Sequence, residues 1–176
     1  NKIDQKVFII SGSVGQGKTT YVKKIINILR GKNLRIEGIY SERIMEKNIT
    51  TGYDIVDIKS KDRTNFLRTT GQESFERIGK FFIYPEGLQR GNEVMKNIRS
   101  DNCDIAIIDE IGRLELNGKG WADGLEEILS LPDQKILITV RDEFVEEVIM
   151  KFGIEDAEVF NVSEYDAMDV YLELEI

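Results

Sequence analysis

Gly12-Ser13-Val14-Gly15-Gln16-Gly17-Lys18-Thr19 matches G-x-x-x-x-G-K-[ST], the phosphate-binding P-loop. Its flanks decide whether the match has physical meaning. Val7-Phe8-Ile9-Ile10 is a short apolar run, rich in β-branched residues, that reads as a buried strand. Thr20 to Leu29 alternates apolar and polar residues at helical spacing and stops at Arg30-Gly31. Strand, glycine loop and helix together are the context the motif requires. The glycines let backbone N–H groups turn inward to face an anion. The helix that follows adds the positive end of its dipole. Gly12, Ser13, Val14, Gly15, Gln16, Gly17, Lys18, Thr19 and Thr20 are therefore expected to bind nucleotide. Lys18 is expected to reach the β- and γ-phosphates and to act in catalysis, and the Thr19 hydroxyl to hold Mg²⁺.

Further along, Asp104-Ile105-Ala106-Ile107-Ile108-Asp109-Glu110 is an apolar strand ending in two carboxylates, a Walker B pattern. Asp109 is expected to bind Mg²⁺ through a water, because Mg²⁺ keeps much of its hydration shell. Glu110 is the expected catalytic base, placed to orient and deprotonate an attacking water. A buried strand whose polar end leaves the sheet gives the same pattern, so the preceding P-loop carries the distinction. Charge gathers on the transferred phosphoryl oxygens, so a cation beyond Lys18 is expected. Arg113, Arg141 and Arg43 are the candidates, although each also suits an ordinary surface ion pair. Thr139, near the end of its strand, reads as a plain strand residue or as a contact to the γ-phosphate or water.

Composition bounds the class. The chain has 176 residues and a net charge of −8, from 24 basic and 32 acidic side chains. That length suits a single domain, residues 1–176, with a substantial core. The acidic balance argues against nucleic acid as the main partner. The cluster from Lys59 to Arg63 carries an acid within it and reads as a solvated loop. No apolar run approaches the roughly 20 residues needed to span a bilayer. No signal-peptide core is visible in a chain that begins at Asn1 rather than Met. Cys103 is the only cysteine and is expected to pack as a small buried residue, with no disulfide and no cysteine metal site. The lack of histidine removes His-based triads and the commonest zinc ligand. A reducing compartment, the cytoplasm, fits best. The sequence singles out no protein partner.

No repeat or linker interrupts the chain. Leu34 to Tyr40 reads as a second strand. Ile39 to Met45 and Tyr53 to Ile58 suggest a hairpin turning through Asn48 to Gly52. Lys59 to Arg77 is polar and irregular, a long loop of the functional or mobile kind, holding at most part of a strand. Phe81 to Tyr84 is strand-like and stopped by Pro85. Leu88 to Ile98 reads as a helix. Ala122 to Leu131 is a helix stopped by Pro132, Lys135 to Val140 a buried strand, and Glu143 to Phe152 a helix ending at Gly153. Glu158 to Val162 is a last short strand. Ser163 reads as the N-cap of a final helix over Tyr165 to Leu172. Strands alternating with helices after Pro85 imply a mostly parallel sheet with helices on both faces. Ligands then bind at the carboxyl ends of the strands, where both motifs lie.

Asn1-Lys2-Ile3-Asp4 spells N-K-x-D, the guanine-reading motif of GTPases, and Asp109-x-x-Gly112 spells their D-x-x-G. Nothing precedes the first, and the P-loop strand follows at once, so it lacks the buried strand that presents such a loop. Glu110 directly after Asp109 points instead to NTPases with a glutamate on the Walker B strand.

The chain resembles the small P-loop nucleoside-triphosphatase family known from thermophiles and, in vertebrates, as a cancer-related nucleoside triphosphatase. The resemblance rests on Gly12 to Thr20, Gly38-Ile39-Tyr40-Ser41-Glu42-Arg43, Gly52-Tyr53-Asp54 and Ile78-Gly79-Lys80-Phe81. It rests above all on Ile108-Asp109-Glu110-Ile111-Gly112-Arg113-Leu114-Glu115, and it runs over roughly residues 5 to 162. It implies a RecA-like α/β sheet with a β-hairpin insertion and Mg²⁺-dependent hydrolysis of several nucleoside triphosphates. The family often has Lys-Met-Glu after D-E-I-G, where this chain has Arg113-Leu114-Glu115. Two other functions share the P-loop: a kinase for a small molecule or nucleoside, with an arginine-bearing lid such as Arg63, Arg68 and Arg77 would give, and a nucleotide-dependent switch.

Overall fold

The structure, a computed structural model, describes residues 6–176. The Asn1–Asp4 motif lies outside those residues. One nine-stranded sheet forms the frame. Its parallel half joins β1 (Val7–Gly12), β2 (Ile36–Glu46), β7 (Ile105–Ile111), β8 (Lys135–Arg141) and β9 (Glu158–Asn161) in the order β2-β7-β8-β1-β9. Its antiparallel wing adds β3 (Ile49–Asp57), β4 (Arg63–Arg68), β6 (Phe81–Ile83) and β5 (Arg77–Ile78) outward from β2. Strand β2 belongs to both halves. Ile36 to Ile39 pair in parallel with β7, and Ile39 to Glu46 pair antiparallel with β3.

Strand β1 shows why two helical layers form. Its side chains alternate between faces, and all six residues are buried. Val7 and Ile9 join a core with Met95, Leu125, Ile128 and Val148. These come from α2 (Pro85–Lys96), α4 (Ala122–Leu129) and α5 (Val145–Lys151). Phe8 and Ile10 join the opposite core, with Val22, Ile25, Ile26 and Leu29 of α1 (Lys18–Gly31) and Ala167 and Val170 of α6 (Ala167–Glu173). Each buried Ile or Leu contributes about 1.5–3 kcal/mol by leaving water. Gly38, at φ +128°, lets β2 lie this close to β7, since a Cβ there would meet the Ile107 carbonyl oxygen at 1.9 Å. Among the described residues no helix is long and apolar enough to cross a membrane.

The sheet and its helices match the expected α/β architecture, with several local differences. The hairpin turns at Lys47-Asn48, both at positive φ, rather than through Asn48 to Gly52. Its insertion is larger than a hairpin, because the expected Lys59–Arg77 loop contains β4 and the start of β5. The strand ends ahead of Pro85 as expected, and Pro85 also opens α2, its missing N–H falling where a first-turn donor has no partner. Asp166, not Ser163, caps α6, accepting from the Asp169 amide at 2.9 Å in a reciprocal box. A 3₁₀ turn over Asp142–Phe144 precedes α5, and a short helix α3 (Arg113–Leu116), absent from the sequence reading, follows β7.

Candidate active site

The P-loop runs from the end of β1 into α1. Gly15 at φ +81° and Gly17 at φ +75° make its turns, which a side chain would resist. Lys18, 7% exposed, folds back over the loop, its ammonium donating to the carbonyls of Gly12 at 3.3 Å and Ser13 at 3.2 Å. An anion in the cradle would replace weak carbonyl partners with a charge. Strand register completes the site. Ile10 pairs with Thr139 and Gly12 with Arg141 across β1 and β8, while Ile108 pairs with Ile138 across β7 and β8. The ends of β1, β7 and β8 therefore meet at one place.

Asp109 sits at that junction with no exposed surface. The Thr139 hydroxyl donates to its Oδ1 at 2.6 Å. The Thr19 hydroxyl and the Ser41 backbone N–H donate to its Oδ2, at 2.9 and 3.1 Å. Among the described residues it forms no ion pair, and burial pushes its pKa upward against these three hydrogen bonds and the nearby Lys18 charge. A buried carboxylate held by neutral donors alone favours an incoming cation. Thr19 Oγ1 and Asp109 Oδ2 are hard oxygen donors 2.9 Å apart, which fits Mg²⁺. Among the described residues no cluster of three or more His, Cys, Asp or Glu could hold a metal, so the remaining ligands would be water and phosphate oxygens.

Glu110 is set differently. Two-fifths of its side-chain surface still reaches water, and its Oε1 lies 3.6 Å from Arg141 Nε. Loss of solvent at the floor of the cleft raises its pKa, and the Asp109 carboxylate adds to the rise. A raised pKa makes a carboxylate a stronger base once it is ionised.

Of the three candidate arginines, Arg141 lies against Glu110, and Arg113 lines the same cavity. Arg113 lies with its guanidinium 5.8 Å from the Phe144 ring. Arg43 lies exposed on β2, paired in register with Tyr53. Thr139 holds Asp109 rather than serving as a plain strand residue. Ser41, part of the Gly38–Arg43 stretch that carries the resemblance, had no role assigned to it; its backbone N–H holds the Asp109 carboxylate and its hydroxyl donates to the Asp109 carbonyl at 3.4 Å. Glu115, the last residue of the Ile108–Glu115 stretch, likewise had no role assigned to it. It is 3% exposed and accepts the amides of Gly112 at 2.8 Å and Trp121 at 2.9 Å, tying the loop after β7 to the start of α4. Cys103 is buried and free, as its isolation in the sequence suggests.

The chain is similar to known proteins in sequence and fold. A family model described as NTPase matches residues 7–172. Nucleoside-triphosphatase THEP1 of Methanopyrus kandleri is 30% identical over 117 residues, 66% of this chain and 63% of that protein, so the match spans less than two thirds of that relative. Nucleoside-triphosphatase THEP1 of Pyrobaculum islandicum is 32% identical over 137 residues, 77% of this chain and 74% of that protein. The solution structure of a human cancer-related nucleoside triphosphatase superposes with a TM-score of 0.75 at 25% identity, over 97% of this chain and 95% of that one.

Proposed function

This chain belongs to the NTPase family, and from that premise we propose that it is a nucleoside-triphosphatase that hydrolyses nucleoside 5′-triphosphates, ATP, GTP and others, to diphosphate and phosphate, with Mg²⁺ and with little regard for the base. The observation that carries this reading is the meeting of Thr19, from the P-loop helix, with Asp109 at 2.9 Å, directly beside Glu110. The residues of the P-loop, from Gly12 to Thr20, bind the phosphates through inward-facing amides. Lys18 exchanges its carbonyl partners for the β- and γ-oxygens. Thr19 and Asp109 would hold Mg²⁺, which when bound neutralises charge on those oxygens. Glu110 orients a water and takes its proton as the oxygen attacks phosphorus. Arg141, next to Glu110, stabilises the charge that grows on the phosphoryl oxygens. Breadth over bases follows because these contacts fall on the triphosphate, which every nucleotide shares. The cytoplasm, whose reducing conditions suit a lone free thiol, is the proposed setting.

A phosphate-release assay over ATP, GTP, CTP and UTP tests the reading. Rates should lie within about tenfold of one another, a spread of about 1.4 kcal/mol in transition-state binding. They should vanish with EDTA and return with Mg²⁺. A thousandfold preference for one base, or full activity in the chelator, would refute it.

A further inference from the structure

Glu110 also forms part of the wall of a cavity that extends beyond the residues assigned to hydrolysis. This cavity, about 340 Å³ in volume, lies between the nucleotide site and the antiparallel wing. Thr19, Ser41, Glu110 and Arg141 contribute to its lining, while none of residues 12–17 does. In phosphoryl transfer the attacking and leaving oxygens lie roughly in line through phosphorus. The phosphate cradle holds the leaving nucleoside diphosphate, and Glu110 marks the attacking side. The cavity is therefore on the side of the nucleophile, away from the nucleoside.

Its walls are built for more than water. Tyr53, Phe66, Phe81, Trp121 and Phe144 line it. Tyr53 meets Phe81 edge-on at 5.7 Å, and Phe66 meets Trp121 at 5.1 Å. Exposed Lys80 stands 5.3 Å from the Phe81 ring centroid, and exposed Arg113 stands 5.8 Å from that of Phe144. Neither cation forms an ion pair among the described residues. Both carboxylates on the wall are engaged. Glu110 faces Arg141, and Glu115 accepts two backbone amides. The unpaired charge on the lining is thus positive, set beside aromatic faces.

We propose that this cavity is a second ligand site, for a planar aromatic molecule carrying a negative charge, and that its occupant displaces the attacking water from Glu110. Tyr53, Phe81 and Phe144, which keep part of their surface open while Phe66 and Trp121 are buried behind, take the ring by stacking, and Lys80 and Arg113 select the anion. The effect on water rests on the hydrolytic reading above; the binding itself does not.

The probe is 2-naphthoate, added to the full chain with Mg²⁺ and ADP. Calorimetry should show one saturable site per chain, and the fluorescence of Trp121, the only tryptophan, should change with the same midpoint. In steady-state assays naphthoate should inhibit phosphate release non-competitively with ATP. The uncharged 2-naphthylmethanol should bind about fivefold more weakly or worse, as should naphthoate to Lys80→Glu, on the scale of one solvent-facing charge. Ile78→Trp, which fills the cavity from β5, should keep wild-type hydrolysis and lose naphthoate inhibition. Competition with ATP, absence of saturable binding, or equal binding of the neutral probe would overturn the proposal. A wild-type chain that releases no phosphate from any triphosphate would instead sink the hydrolytic reading, leaving the calorimetric result to decide the site.

Discussion

The parallel half and the antiparallel wing each bury aspartates, and they satisfy them in opposite ways. In the wing, Asp54 takes Arg63 at 3.0 Å and also Arg68, and Asp57 takes Arg90 at 3.1 Å. In the parallel half, Asp109 has two hydroxyls and one amide, with no cation bound to it. The wing's carboxylates are neutralised by the chain itself, so their role ends in the fold. Asp109 is left with neutral hydrogen-bond donors at the ends of three strands, and Lys18 acts on it only through space. A buried charge that the chain leaves uncompensated is a place for a cation from outside. Glu115 is an intermediate case, solvated by backbone amides alone.

The largest test of that contrast is Lys18→Ala, on the functional side. It should lose both nucleotide binding and measurable turnover while thermal unfolding stays cooperative. Near-normal hydrolysis would place the phosphate site elsewhere. Glu110→Gln comes next. Turnover should fall by about 10²- to 10⁴-fold, the usual contribution of a general base, with nucleotide affinity nearly unchanged. Loss of affinity in that variant would make Glu110 a structural group or a metal ligand.

Glu115 allows the intermediate case to be sharpened by pH. Burial pushes its pKa from 4.5 to about 7. Between those values the native state keeps a proton that the unfolded chain has released. Stability should therefore fall as pH rises from about 4.5 to about 7, by about 3 kcal/mol in all. Glu115→Gln should remove this slope in urea titrations. An unchanged slope would show that the two amides hold the carboxylate ionised throughout. The smallest expected effect lies in the wing. Asp54→Ala should cost about 1–3 kcal/mol by stranding the largely buried Arg68 and the half-exposed Arg63, yet leave turnover within about threefold. A large fall in turnover there would erase the division between structural and functional carboxylates.

Legibility in the sequence follows the same division. Strands β1, β7 and β8 are continuous apolar runs because helices cover both faces, and such runs announce themselves. The P-loop and Asp109-Glu110 follow directly from strand ends. The wing reads poorly because Arg63-Thr64-Asn65-Phe66-Leu67-Arg68 has mostly half-exposed or exposed side chains, with Phe66 alone buried. Lys47-Asn48 lacks the glycine that usually marks a two-residue turn. Pro85 fits the end of one element and the start of another equally well. Ser41 and Glu115 could not be found from residue type, since one contributes a backbone amide and the other binds two. That Arg141 lies by the P-loop strand could be read only from the register that sets it opposite Gly12.

The shared strand β2 also orders events in time. Its hairpin with β3 closes over two residues, so that contact is local and forms early. The P-loop strand β1 must instead find β8, Ile9 against Ile138, across most of the chain. Long-range parallel pairing of this kind is slow, because loop closure precedes any gain from contact. Gly12, Asp109 and Arg141 are neighbours only after that closure. On this ordering, nucleotide binding during refolding should appear only with the parallel pairing of β1 and β8, after the hairpin signal; simultaneous appearance of the two would overturn it.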